Sequence, residues 1–212
     1  MICDIFNKLC EHRVVSILRG VPSETLEPVL DAPCKGGVYA VEITMNTDNG
    51  LDMIERAKKH VGGRMMIGAG TVLDAQTARL CILAGADFLL SPVLAPDMIA
   101  LCNQYDKLAV PGIFTPTEAL QARRLGALMI KVFPVGSVGP RYIRDLLGPL
   151  GQLSLMPVGG VTLENAADFF KAGAAAIGVG SCLVSGALAA KHDFDEITRR
   201  AKAFQEAAGP RA

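Results

Sequence analysis

Leu128-Met129-Ile130-Lys131-Val132-Phe133-Pro134 is a short apolar run with one charged residue at its centre. Its length and its Ile and Val content fit a buried strand. A lysine in such a run is costly unless it is paired or neutral. Burial lowers a lysine's pKa, and a neutral amine is a nucleophile toward carbonyls. Lys131 therefore reads either as a Schiff-base lysine or as a strand-end lysine that reaches solvent or a carboxylate.

Seven more runs of this kind flank it: Val14–Leu18, Val38–Thr44, Met65–Gly70, Phe88–Ser91, Leu108–Gly112, Leu153–Val158 and Ala176–Gly180. Between the runs the pattern predicts helices near 23–35, 48–60, 74–84, 95–105, 115–125, 139–148 and 162–172, with flanking helices near 3–12 and 193–207. Thr115-Pro116-Thr117-Glu118 combines an N-cap threonine, a proline at the first helical position and a glutamate at the third. Thr162-Leu163-Glu164-Asn165 is a second helix start, and Gly85 and Gly173 read as C-terminal caps. Strand starts recur every ~20–27 residues, the length of one βα unit. Eight units predict an α/β fold: one (β/α)8 TIM-barrel domain over residues 1–212, with an extra N-terminal helix. A doubly wound open sheet is the competing reading. It would want a glycine-rich turn after its first strand, where Arg19-Gly20-Val21-Pro22 stands instead.

Lys+Arg and Asp+Glu balance at 21 each, so the formal net charge is zero. That argues against a nucleic-acid or membrane-surface partner and makes any anion site a local feature. The six cysteines form no Cys-x-x-Cys pair, and with three histidines they give no zinc-site spacing, so no metal is expected. Reduced thiols in a cytoplasmic protein are the simplest reading. Cys182 lies beside a candidate site and reads as packing. Asp4, Lys8 and Glu11 interrupt the first apolar residues, so a signal peptide is not expected. No apolar run nears the length that spans a bilayer.

In a (β/α)8 barrel the site forms at the C-terminal ends of the strands and in the loops that follow. Arg19, Glu42, Thr44, Thr71, Ser91, Lys131 and Ser181 fall there. Alternation puts Val38, Ala40, Glu42 and Thr44 on one face of their strand, and Met129, Lys131 and Phe133 on one face of theirs. Arg19 goes with Val15 and Ile17. A buried Glu, Lys and Arg are thus expected at one barrel mouth, as a catalytic site or as a structural ion-pair network. Gly159-Gly160 and Gly180-Ser181, each ahead of a helix, offer backbone N–H groups to a phosphate. They predict a phosphorylated small-molecule substrate held without a metal.

Several segments in order carry a resemblance: Val41-Glu42-Ile43-Thr44, Ile67-Gly68-Ala69-Gly70-Thr71-Val72, Ser91-Pro92, Pro111-Gly112-Ile113-Phe114-Thr115-Pro116-Thr117-Glu118, Lys131-Val132-Phe133-Pro134 and Val158-Gly159-Gly160-Val161. From about residue 10 to about residue 190 the chain resembles the KDPG/KHG aldolase family. The resemblance implies a class I aldolase that cleaves 2-keto-3-deoxy-6-phosphogluconate, or its galactonate epimer, to pyruvate and glyceraldehyde 3-phosphate. It implies a homotrimer without a cofactor. Lys131 resembles the Schiff-base lysine and Glu42 the acid/base glutamate. Thr71 and the Gly70 backbone resemble the carboxylate cradle, and Arg19 matches an arginine of the family's site. Pro92 and Phe133 resemble its apolar wall, and Gly159, Gly160, Gly180 and Ser181 its phosphate cradle. Met45-Asn46 departs from the gluconate-type pattern, which has arginine at the place of Asn46. That asparagine, and Gly139-Pro140-Arg141-Tyr142-Ile143, resemble the galactonate type, whereas Thr44 and Thr115-Pro116-Thr117-Glu118 resemble the gluconate type. Three readings compete: a 4-hydroxy-2-oxoglutarate aldolase giving pyruvate and glyoxylate, a metal-dependent epimerase, and a non-catalytic sugar-acid-phosphate sensor. No histidine lies at a predicted strand end to serve an epimerase, and a sensor needs neither Lys131 nor Glu42.

Overall fold

The computed structural model describes residues 2–209. Its parallel strands are β1 (Val14–Leu18), β2 (Ala40–Thr44), β3 (Met66–Gly70), β4 (Phe88–Leu90), β5 (Leu108–Val110), β6 (Gly112–Ile113), β7 (Ile130–Val132), β8 (Leu155–Pro157) and β9 (Ile177–Val179). Pro111 has no N–H to give a ladder, and it divides one stave into β5 and β6. The nine segments therefore make eight staves. One sheet runs β5-β4-β3-β2-β1-β9 and the other β6-β7-β8. The parallel bridge Val158↔Gly178 joins their free edges. The ring is closed, as a (β/α)8 barrel requires and an open sheet does not.

Alternation along each strand separates two cores. Val15, Ile17, Ala40, Met66, Phe88, Leu108, Met129 and Met156 fill the barrel interior. Val14, Leu18, Val41, Ile43, Ile67, Ile130 and Val132 face outward and pack under the helices. The expected N-terminal helix, α1 (Ile2–His12), does not join the outer ring. Its Leu9 and Cys10 belong to the interior cluster, so it stoppers the N-terminal end of the barrel. The opposite mouth, where all strands end, is left for chemistry.

The outer helices are α2 (Leu26–Lys35), α3 (Gly50–Val61), α4 (Ala75–Leu83), α5 (Pro96–Gln104), α6 (Pro116–Arg124), α7 (Gly139–Leu147), α8 (Leu163–Lys171), α9 (Gly186–Ala190) and α10 (Phe194–Ala208). The capping box expected before α6 is present: the Glu118 N–H donates to Thr115 Oγ1 at 3.3 Å, and the Thr115 N–H donates to Glu118 Oε2 at 2.8 Å. At α8 the Thr162 N–H donates to Asn165 Oδ1 at 2.8 Å. β1 keeps the bounds of its apolar run, and most of the other strands are shorter than theirs because ladder pairing covers only part of each run. α9 was outside the expected set, since five residues are too few to show helical periodicity. Among the described residues no helix is long and apolar enough to cross a membrane.

Candidate active site

Lys131 is the middle residue of β7. Ile130 and Val132 turn outward into the helix-facing core, so Lys131 turns into the barrel. Only 3% of it is exposed, and its Nζ lies 4.9 Å from the centroid of the Phe133 ring. Burial pushes its pKa down; Glu42 pulls the other way, and Arg19 adds to the lowering. The apolar run thus gives an amine biased toward its neutral, nucleophilic form.

Glu42 enters from β2, four staves round the ring from β7. It is 1% exposed, and among the described residues neither carboxyl oxygen has a hydrogen-bond partner. Burial holds it above the usual carboxylate range, against the pull of Lys131 first and Arg19 second. A buried, unpartnered carboxyl is expensive, which is what a group kept for proton transfer looks like. The neighbouring strand makes room for it. A Cβ at Gly70 would fall on the Glu42 carboxyl, so glycine at the end of β3 is a condition of that rotamer.

Arg19 follows β1 and is exposed, which corrects the expected buried trio to a buried Glu–Lys pair beneath an arginine. Its Cα lies past the last ladder residue, so its long stem carries the guanidinium out to water. Its Nη2 donates to Thr71 Oγ1 at 3.5 Å. Thr71 is half-buried, with φ at +58°, at the turn after β3.

A cavity of about 420 Å³ opens at this mouth. Arg19, Phe133, Gly159, Gly160, Gly180 and Ser181 all line it, which brings together six of the residues singled out in the sequence. Gly160 has φ at +99°, and a Cβ there would run into the Gly136 backbone, so the loop after β8 is built for glycine. Cys182, Ser185 and Gly186 also line the cavity. Cys182 is exposed there, not packed. Ser185 was missed because its visible role is to cap the short α9, where its Oγ accepts the Leu188 N–H at 3.2 Å.

Lys131 and Glu42 are not among the lining residues of that cavity, and three other expected residues, Asn46, Thr71 and Pro92, also stand outside it. Asn46 is exposed and, with Met45, Thr71 and Asp74, lines a separate cleft of about 240 Å³. Pro92 is half-buried, with its backbone carbonyl against Gly112. Among the described residues no three His, Cys, Asp or Glu side chains are grouped to hold a metal. The arrangement supplies an amine and a carboxyl, each biased by burial toward its neutral form, and a cationic, glycine-lined cavity at the same barrel mouth. That set can form an imine, move a proton beside it and bind an anion.

Comparison with known proteins points one way. The KDPG and KHG aldolase family matches residues 5–200. The chain is 38% identical over 182 residues to the probable 2-dehydro-3-deoxy-6-phosphogalactonate aldolase of Rhizobium meliloti, covering 85% of each. It is 32% identical over 196 residues to the 2-dehydro-3-deoxy-phosphogluconate aldolase of Haemophilus influenzae, covering 92% of each. A solved structure described as "Native KDPGal structure" superposes with a TM-score of 0.86 at 32% identity, over 92% of this chain and 93% of that one.

Proposed function

The chain belongs to the KDPG and KHG aldolase family and is a class I aldolase, and on that premise we propose that Lys131 is its Schiff-base lysine and Glu42 its acid–base group. The substrate is a 2-keto-3-deoxy-6-phospho sugar acid. One observation carries the assignment: Glu42 and Lys131 are buried together, and burial biases each against its charge.

Neutral Lys131 attacks the C2 ketone and gives a carbinolamine. Glu42 protonates the departing hydroxyl, and a protonated imine forms. The Glu42 carboxylate then takes the C4 hydroxyl proton, directly or through a water. The C3–C4 electron pair moves into the imine, leaving an enamine and releasing glyceraldehyde 3-phosphate. Protonation of the enamine and hydrolysis return Lys131 and pyruvate. Gly159, Gly160, Gly180 and Ser181 hold the phosphate, Thr71 with the Gly70 backbone receives the carboxylate, and Arg19 binds the anionic substrate beside them. We propose further that three copies associate, as the family resemblance implies; the exposed Leu73, Leu80 and Leu83 supply apolar surface for such a contact.

The test is incubation with pyruvate and borohydride, followed by intact mass and peptide mapping. We expect a pyruvyl adduct on Lys131, absent from Lys131→Ala, which also loses aldol cleavage of both C4 epimers. A folded Lys131→Ala enzyme that still cleaves above background would sink the assignment.

A further inference from the structure

Among the described residues, the guanidinium of Arg19 makes one long side-chain hydrogen bond, to Thr71 at 3.5 Å. Its backbone is held far more firmly. The Gly20 N–H donates to Thr47 Oγ1 at 3.1 Å. Thr47 Oγ1 lies 2.9 Å from Thr44 Oγ1, and Thr44 Oγ1 donates to the Leu18 carbonyl at 3.3 Å. The directions follow from chemistry. A carbonyl only accepts, so the Thr44 hydroxyl spends its proton on Leu18. Thr47 must then donate to Thr44, which leaves its own lone pair for Gly20. One orientation satisfies all three bonds. Thr44 is fully buried and Thr47 is 7% exposed, so water does not replace these partners.

The two ends of this relay are the peptide groups on either side of Arg19. The Leu18 carbonyl belongs to the peptide that enters Arg19, and the Gly20 N–H to the one that leaves it. Gly20, at φ +60°, turns the chain away at once. Two hydroxyls from the end of β2 therefore fix the backbone of a residue at the end of β1. We propose that Thr44 and Thr47 are positioning residues for Arg19: they set its Cα so that an otherwise free side chain meets the anionic substrate in the cavity. This inference rests on the reading of Arg19 as a substrate-binding residue.

The test measures kcat and KM on the better of the two C4 epimers, with Tm alongside. Thr44→Val and Thr47→Val should each raise KM about 3- to 10-fold with little change in kcat, the effect of one lost neutral hydrogen bond. Thr44→Ser, which keeps the hydroxyl, should restore KM to within about twofold. Arg19→Met should raise KM about tenfold or more. Adding Thr44→Val to Arg19→Met should then raise KM no further, although Tm still falls. A merely structural threonine would lower Tm and leave this epistasis absent. The relay is overturned if Thr44→Val multiplies KM equally in both backgrounds, or if Arg19→Met raises KM and neither valine variant does. Wild-type KM in Arg19→Met removes the substrate role of Arg19 itself, and the positioning role with it.

Discussion

Glu42 carries two opposed demands at the scale of a single residue. Proton transfer near neutral pH wants a carboxyl held above its usual range, and burial supplies that at a cost in stability. The sign follows from proton binding. Above the ordinary carboxylate range the folded chain keeps a proton that the unfolded chain has lost. Stability therefore falls as pH rises from the ordinary value to the raised one, then levels off. Glu42→Gln removes the charge and keeps the shape. It should cut kcat by about 10²- to 10⁴-fold, the usual share of a placed acid–base group. It should also gain Tm relative to wild type as pH rises from about 4, while the two proteins converge below that, where wild-type Glu42 is protonated in both the folded and the unfolded chain. Thermal melts of both proteins across that pH range decide it. A constant offset would mean that burial does not shift this carboxyl.

At the scale of the element, β3 shows why some of the site was legible and some was not. Glu42 and Lys131 stood out because each interrupts an apolar run, and alternation alone turned both into the barrel. The glycine turns after β8 and β9 stood out by composition. The need for Gly70 did not, because it arises across strands: Thr44 pairs with Gly70 in register, and the Glu42 side chain lies over the Gly70 Cα. Thr47 was hidden for the same reason, since its partner Gly20 lies in the turn after β1. Arg19 was located correctly but not its exposure, which depends on how far the ladder runs. Gly70→Ala tests the cross-strand dependence. Its methyl should force the Glu42 carboxyl aside, costing about 1–3 kcal/mol of stability as overpacking does. It should also lower kcat toward the Glu42→Gln value, with a smaller change in KM. Wild-type kcat in a stable Gly70→Ala enzyme would show that Glu42 can retreat and still work.

Across the whole molecule, the proposed site lies at one end of the barrel and its stopper, α1, at the other, which leaves the flanks to meet other copies. Zero net charge does not oppose such association. The flank that carries α4 is apolar where solvent would favour charge: Leu73 is 55% exposed, Leu80 51% and Leu83 65%. Leu80 and Leu83 stand three residues apart on one helix face. Covering such surface yields about 25 cal/mol per Å². Light scattering should accordingly give a mass about three times the 22.3 kDa of one chain. The double change Leu80→Glu and Leu83→Glu should drive it toward one chain by burying charge in the contact. The monomer should still take a pyruvyl adduct, because Lys131, Glu42 and Phe133 come from a single barrel. A wild-type mass of 22.3 kDa would remove the trimer. An intact trimer in the double variant would place the contact on another flank, and a monomer unable to form the adduct would mean that the site needs a neighbouring copy to hold its shape.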